Sequence, residues 1–191
     1  MATGVLVDAN VLFSRTLRDW LFLLRNETEA NMFTVYATED IIAETIYHLR
    51  RERPTAPGHM TSRVSELIRE QLDDLVREYE VDGSYPGSDQ DDAHVHAAAV
   101  AVGANVVLTD DSDFTKLAPE VADQLPYEVH TPDSFFTLID DSSPLKVRAV
   151  TEQQLQYFLR RDTEADLPGR LKAAGCPTFA ERVRLHLQVL G

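Results

Sequence analysis

Cysteine, lysine and long apolar runs are scarce in this sequence. A single Cys, Cys176, among 191 residues excludes an internal disulfide and any metal site built from several thiolates. The longest segment without a charged residue, 93–109, contains two His, a Gly and an Asn, and it is too short and too polar to span a bilayer. The first residues contain neither a basic segment nor an apolar one, so a signal peptide is not expected. The sequence therefore predicts a cytoplasmic protein.

Glycine-rich phosphate-binding signatures are also absent. Neither a GxGxxG run nor a Walker lysine motif occurs, which argues against the common nucleotide-binding folds.

Basic residues are outnumbered by acidic ones, 18 to 32, and the formal net charge is −14. The excess belongs to residues 1–139, which carry −15, whereas residues 140–191 carry +1. Proteins that neutralise many phosphates usually present a basic face. Any contact with nucleic acid is therefore expected to be local.

Short β-branched runs alternate with helical periods over residues 1–139. Strands are predicted at 5–7, 33–37, 105–108 and 127–130, and helical segments start near Val11, at Thr38, at 61 or 62 and at Asp92. The third of these helical periods continues to Val76. This alternation predicts a three-layer α/β/α fold with a central parallel sheet.

The segment 140–191 is expected to be a helical C-terminal extension of two or three helices. Thr151 and Gln154, three residues apart, resemble a capping box and predict a helix start at Thr151. The predicted domain boundary therefore lies between residues 139 and 140.

Acidic residues follow the predicted strands in several separate segments. Asp8 follows the first strand, Glu44 lies on the helix after the second, Asp92 opens the Ala-rich helix, and Asp110 and Asp111 follow the strand at 105–108. Ligands of open α/β sheets bind at the carboxyl ends of the strands. Converging carboxylates repel one another unless protons or cations intervene, and an all-carboxylate set favours Mg²⁺ or Mn²⁺ over zinc.

Each acid also has a purely structural interpretation. Asp8 could cap the following helix, Glu44 could be a solvated helix residue, and Asp110 competes with Asp111. At least one of three neighbouring acids is expected to be only a helix cap, namely Asp89, Asp91 or Asp92. His94 and His96 lie on different faces of a helix and are interpreted as structural or exposed.

Four segments, in this order and spacing, carry a resemblance to a known family. They are VDANVLFS at 7–14, IIAET at 41–45, DDAHVHAAA at 91–99 and VLTDDSDF at 107–114. Over residues 4–139 the sequence resembles the PIN-domain ribonucleases, specifically the VapC-like toxins of type II toxin–antitoxin pairs, with an extra C-terminal helical region.

The resemblance implies a metal-dependent endoribonuclease of PIN-like fold that hydrolyses RNA with Mg²⁺ or Mn²⁺. It also implies a cognate antitoxin and a homodimer. The catalytic and metal-binding acids would be Asp8, Glu44, Asp92 and Asp111, with Asp113 as an additional ligand. Asn10 and Thr109 occupy polar positions that the family uses to orient the acids.

Basic residues near these acids are candidates for RNA contacts, the alternative being an ordinary solvated surface. They are Arg15, Arg50, Arg51 and Lys116.

Two other functions compete with this interpretation. A catalytically silent PIN-like module would hold a partner protein or RNA. A receiver or phosphatase-like domain would use Asp8 as phosphoryl acceptor, but Asn10 stands where the phosphatase pattern requires a second Asp.

Overall fold

A computed structural model of the chain describes residues 2–87, 90, 92–161 and 165–190. Among these residues, no helix has the length and apolar character that crossing a membrane requires. The acids Asp89 and Asp91, considered above as helix caps, lie outside the described residues.

Five parallel strands form one sheet, in the order β3-β2-β1-β4-β5. The strands are β1 (Thr3–Val7), β2 (Phe33–Thr38), β3 (Asp74–Val76), β4 (Val106–Leu108) and β5 (Glu128–His130). The sheet is flanked by helices, which confirms the predicted α/β/α fold class and its C-terminal helical region. β1 lies at the centre of the sheet between β2 and β4, and its residues Val5, Leu6 and Val7 are fully buried, as expected for a strand covered on both faces.

The helices account for most of the remaining chain. They are α1 (Ala9–Phe13), α2 (Arg15–Glu27), α3 (Glu39–Glu52), α4 (Gly58–Gln71), α5 (Ala93–Val102), α6 (Ser112–Thr115), α7 (Pro119–Ala122), α8 (Pro132–Ser142), α9 (Pro144–Leu159), α10 (Leu167–Ala173) and α11 (Pro177–Leu190).

Two compact units divide the chain. The sheet unit contains Met1–Phe13 and Asn31–His130, and the helical unit contains Ser14–Ala30 and Thr131–Gly191. This division differs from the boundary expected near residue 140, because α8 and the early helix α2 pack with the C-terminal helices. By composition, the sheet unit has seven basic and 21 acidic residues, whereas the helical unit has 11 of each.

Local capping explains where several elements begin and end. The Thr38 hydroxyl accepts a hydrogen bond from the Ile41 amide (3.0 Å) at the start of α3, as the sequence predicts. Ser14 caps α2 by accepting from the Leu17 amide, so the helix expected from Val11 onward is divided into α1 and α2. Gly103 ends α5 in the left-handed conformation, with φ of 64°.

The edge strand β3 corrects the sequence prediction of a helix continuing to Val76. α4 ends at Gln71, and Asp73 then pairs with the backbone of β2. The Asp73 amide donates to the Val35 carbonyl (2.9 Å), and its carboxylate accepts from the Val35 amide (2.8 Å). Pairing with a strand distant in sequence therefore overrides the helical period of Leu72, Leu75 and Val76.

The predicted helix start at Thr151 is also wrong. Thr151 and Gln154 lie in the middle of α9, where Thr151 is fully buried and its hydroxyl donates to the Val147 carbonyl (2.8 Å). A Thr inside a helix commonly makes this bond to the residue four positions earlier, and the same residue types that suggest a cap are compatible with it.

Aromatic packing and a buried His–Asp hydrogen bond hold the helical unit together. The rings of Trp20 and Phe179 meet edge to face with centroids 5.1 Å apart. His186 Nε2 lies 2.6 Å from the Asp140 carboxylate, and both side chains are buried. Two buried polar groups are tolerated when each has a partner. Removing either one would leave the other unpaired, so both residues are expected to tolerate substitution poorly.

Asp133 provides a test of this unit. Its carboxylate accepts from the amides of Thr178 (3.2 Å) and Phe179 (2.8 Å) in the first turn of α11. Replacing Asp133 by Ala leaves these amides without the carboxylate and is expected to lower the free energy of unfolding by about 1 kcal/mol. Urea unfolding followed by the fluorescence of Trp20 measures this change.

Glu152→Ala is the matched control, because Glu152 is an exposed acid in the same unit. It should change the free energy of unfolding by less than about 0.5 kcal/mol. Equal destabilisation by the two variants would contradict the capping role of Asp133.

Candidate metal centre

The ends of β1 and β4 bring two polar loops together. Val7 pairs with Leu108 in parallel register, so Asp8 and Thr109 are the next residues on neighbouring strands. The Asp8 amide donates to the Leu108 carbonyl (3.0 Å) and extends this pairing by one step. The carboxyl edge of the central strands therefore carries Asp8 and Thr109 side by side.

Three hydrogen bonds from described residues hold the Asp8 carboxylate. Its Oδ2 accepts from the Thr109 hydroxyl (2.7 Å) and from Asn10 Nδ2 (2.8 Å), while its Oδ1 accepts from the Ala9 amide (2.6 Å). The Asp8 residue is only 6 % exposed. Asn10 and Thr109 thus make the contacts that orienting residues would make, and they fix the Asp8 carboxylate in one position.

Burial raises the pKa of Asp8, because a carboxylate loses hydration inside the protein. The hydrogen bonds from Thr109 and Ala9 act against this rise in pKa, and the charge of Glu44 adds to it. The charge of His94 lowers the pKa of Asp8, but burial has the larger effect. An ionised Asp8 therefore requires compensation by positive charge.

Thr109 and Asn10 also position the loop that follows β4. The Thr109 hydroxyl oxygen accepts from the Asp111 amide (3.0 Å), and Asn10 Oδ1 accepts from the Asp110 amide (3.1 Å). The Asp111 carboxylate in turn accepts from the Asp113 amide (2.8 Å). One chain of hydrogen bonds therefore connects Asp8 to the acidic loop.

Asp92, Asp111 and Asp113 form the acidic cluster of this site. One carboxylate oxygen from each lies within 4.8 Å of the others. Asp92 and Asp111 are half-buried and Asp113 is exposed. Asp92 stands at the N-cap position of α5 without making a side-chain capping hydrogen bond.

This donor set fits a hard divalent cation. Three oxygen donors at such separations can share one ion, and Mg²⁺ and Mn²⁺ prefer carboxylate ligands. Three carboxylates this close also repel one another, so a bound cation would stabilise the arrangement. The cluster could therefore hold a metal ion.

The predicted acids are only partly brought together. Asp92 and Asp111 join the cluster, and Asp113, predicted as an additional ligand, joins it as well. Asp8 and Glu44 are not members of the cluster, although the charge of Glu44 acts on Asp8. Glu44 lies on α3, is 42 % exposed and contacts His48 Nε2 at 3.3 Å.

Asp110, the competitor of Asp111, is an exposed residue outside the cluster. Partial loss of hydration raises the pKa of its carboxyl group, and the charge of Asp111 adds to this rise. The geometry therefore favours Asp111 as the ligand of this pair.

The four basic candidates have different surroundings. Arg50 donates to the Ala56 carbonyl and to Thr61 Oγ1, so its guanidinium is engaged in the connection between α3 and α4. Arg51 and Lys116 are exposed in the sheet unit, whereas Arg15 belongs to the helical unit.

A buried network beside Asp92 was not predicted from the sequence as part of the site. His96 is 5 % exposed, and its Nδ1 lies 2.8 Å from the Tyr127 hydroxyl, while its Nε2 lies 3.3 Å from Ser84 Oγ. Burial raises the pKa of Tyr127, and the charges of Tyr85 and Asp92 add to this rise. The spacing of Asp92 and His96 by one helical turn is the available sequence signal.

Comparison with known proteins identifies the fold family. A model of the PIN domain matches residues 4–113, which is more than half of the chain. The chain therefore belongs to the PIN-domain family, whose fold is a nuclease fold. A comparison with curated proteins finds no match.

The raised pKa of Asp8 generates a prediction for the metal-free protein in EDTA. A carboxyl group whose folded pKa is raised contributes stability that is complete below about pH 3.9, the pKa in the unfolded chain, and is lost as pH rises through the folded pKa. Asp8→Asn cannot titrate. The thermal midpoint of the wild type minus that of Asp8→Asn should therefore decrease as the pH is raised from acidic to neutral.

Circular dichroism at a series of pH values measures this difference, with Glu120→Gln as the control because Glu120 is exposed in the same unit. The same pH trend in Glu120→Gln would assign the effect to net charge. A wild-type midpoint that stays at a constant distance from that of Asp8→Asn would contradict the burial argument.

Proposed function

We propose that this protein is an Mg²⁺-dependent endoribonuclease that hydrolyses phosphodiester bonds of RNA. The observation that carries the proposal is the acidic cluster of Asp92, Asp111 and Asp113, connected through Thr109 to the buried Asp8 at the carboxyl edge of a PIN-domain sheet.

The chemistry of the donor set supports Mg²⁺, with Mn²⁺ as an alternative. All three cluster ligands are carboxylates. The single thiol, Cys176, is buried in the helical unit and contributes nothing to the cluster. When bound, such an ion supplies positive charge to the phosphodiester and lowers the pKa of a bound water.

The residues of this site would position the metal ion and the Asp8 carboxylate. Asp92, Asp111 and Asp113 would hold the ion, and Asp8 would add a buried negative charge next to them. Asn10 and Thr109 donate to Asp8 and keep its carboxylate from rotating. Hydrolysis forms a bond between water oxygen and phosphorus, breaks a phosphorus–ribose oxygen bond, and transfers a water proton to the leaving oxygen.

The charge of the sheet unit supports a strict requirement for cations. With seven basic and 21 acidic residues, this unit repels a polyanion. Binding of RNA would then depend on the cation and on few basic side chains, with Arg51 and Lys116 as exposed candidates in this unit. A catalytically silent PIN-like module would not cleave RNA at any cation concentration.

Substitution of the acids tests the proposal. Asp8→Asn, Asp92→Asn and Asp111→Asn should each lower the rate of Mg²⁺-dependent RNA cleavage by at least about 100-fold, because metal stabilisation of transition-state charge is worth several kcal/mol. Cleavage of a pooled RNA is measured with and without EDTA, and calorimetry measures Mn²⁺ binding separately.

Asp110→Asn is the matched control, since it makes the same change one residue from Asp111 at an exposed position outside the cluster. It should retain cleavage within about threefold, well under the tenfold change that 1.4 kcal/mol produces. Absence of cleavage in the wild type despite metal binding would favour the silent module, and equal loss in Asp110→Asn would remove Asp111 from its role.

We further propose that the nuclease is the toxin of a type II toxin–antitoxin pair, a cytoplasmic homodimer inhibited by a cognate antitoxin. Similarity of the motifs at 7–14 and 107–114 to VapC-like toxins supports this role. Induced expression of the wild type should arrest bacterial growth, whereas Asp8→Asn expressed to the same level should not. Equal growth of the two cultures would contradict the toxin role.

A small protein encoded beside this gene would be the candidate antitoxin. When it is coexpressed with the chain, it should restore growth and copurify with the chain.

A further inference from the structure

A cavity of about 70 Å³ lies within the helical unit, between α2, α9 and α10. Its lining residues all belong to this unit, and none of them belongs to the acidic cluster. A single water needs about 10 to 15 Å³ measured in this way, so the cavity has room for several atoms or groups the size of a water molecule. It can therefore admit a ligand the size of a planar ring.

Arg170 supplies hydrogen-bond donors at this cavity. Its guanidinium carbon lies 4.5 Å from the ring centroid of Phe158, so one face of the guanidinium is covered by an aromatic ring. Within the described part of the chain, no ion pair or hydrogen bond holds the guanidinium. Its N–H groups lie in the guanidinium plane and can donate to a ligand in a fixed geometry.

Gln154 supplies both a donor and an acceptor. It lines the cavity and is only 7 % exposed. Residues 2–87, 90, 92–161 and 165–190 provide no hydrogen bond to its side-chain amide. A ligand in the cavity can therefore pair with this amide in both directions, donating to its Oε1 and accepting from its Nε2.

Asp19 and Arg15 add further charged groups to the lining. Arg15 Nε lies 3.5 Å from Asp19 Oδ2, and its Nη2 donates to the Tyr157 hydroxyl (3.0 Å). The cavity thus combines a carboxylate acceptor with guanidinium donors. Asp19 offsets the charge of one of the two arginines and adds an acceptor, so the lining favours a ligand that carries both donors and acceptors, and a purely apolar ligand would leave these polar groups unpaired.

The apolar part of the lining includes two aromatic rings, those of Trp20 and Phe158. A matching ligand is a flat heterocycle whose edge carries both N–H and carbonyl groups. We propose that this cavity binds one unpaired nucleobase, either in a free ribonucleotide or in single-stranded RNA. The choice of a nucleobase among such heterocycles rests on the proposed ribonuclease function.

Trp20 provides a local signal for the test, because it is the only Trp of the chain and lines the cavity. The full-length protein in EDTA is titrated with the four ribonucleoside 5′-monophosphates, with ribose 5-phosphate and with a 2′-O-methyl oligoribonucleotide. At least one mononucleotide should quench Trp20 fluorescence saturably, and ribose 5-phosphate should not. Tighter binding of the oligoribonucleotide would assign the base to RNA, and binding of the mononucleotide alone would assign it to a free nucleotide.

Two variants and two matched controls locate the binding. Gln154→Leu and Arg170→Gln should weaken nucleobase affinity about tenfold, the effect of losing a specific base contact. Gln153→Leu and Arg160→Gln make the same chemical changes at exposed positions and should leave the affinity unchanged. Arg170→Gln keeps the test informative if Gln154→Leu is unfolded by circular dichroism.

Three results would overturn the proposal: quenching by ribose 5-phosphate equal to that by nucleotides, no quenching by any nucleobase ligand, or equal loss of affinity in variants and controls. RNA cleavage without quenching would reject the nucleobase site and leave the ribonuclease function standing. Saturable quenching with the expected variant losses but without RNA cleavage would support the site and reject the ribonuclease function.

Discussion

The hydrogen bond from the Thr109 hydroxyl to the Asp8 carboxylate connects the ends of the neighbouring strands β1 and β4, and the candidate metal centre depends on it. The same Thr109 oxygen accepts from the Asp111 amide, so the acidic loop is positioned by the group that holds Asp8. Asn10 makes a second connection of this kind, because its Nδ2 donates to Asp8 and its Oδ1 accepts from the Asp110 amide. A buried carboxylate is costly unless its oxygens are satisfied, and this network offsets part of that cost, although burial still raises the pKa of Asp8.

The two units of the chain differ in net charge. The whole net charge of −14 belongs to the sheet unit, and the helical unit is neutral by composition. The acidity that argues against a general nucleic-acid binder is therefore concentrated in the unit that carries the acidic cluster. A divalent ion would offset only part of it. The neutral helical unit faces no such repulsion, and its cavity combines guanidinium, amide and carboxylate groups with aromatic rings.

Features that depend on neighbouring residues could be predicted from the sequence. The buried run at Val5–Val7, the cap formed by Thr38 and the end of α5 at Gly103 follow from local periodicity and backbone preferences. The acids after β1 and β4 were recognisable as candidates because parallel strands end at a common edge. Thr151 was misassigned because a Thr followed by polar residues is compatible both with a helix start and with a helix interior.

By itself, the sequence determined the fold class and the candidate residues, since strand and helix periods and strand-end acids are local patterns. Only the tertiary structure decided which of them meet. β3 pairs with β2, which is distant in the chain, and Asp73 binds the Val35 backbone just before β3 begins. Asp113 joins Asp92 and Asp111 in a cluster without Asp8 or Glu44. α2 packs with the C-terminal helices. Each outcome depends on contacts between segments that are distant in the chain. The free energies of these contacts cannot be read from local sequence patterns.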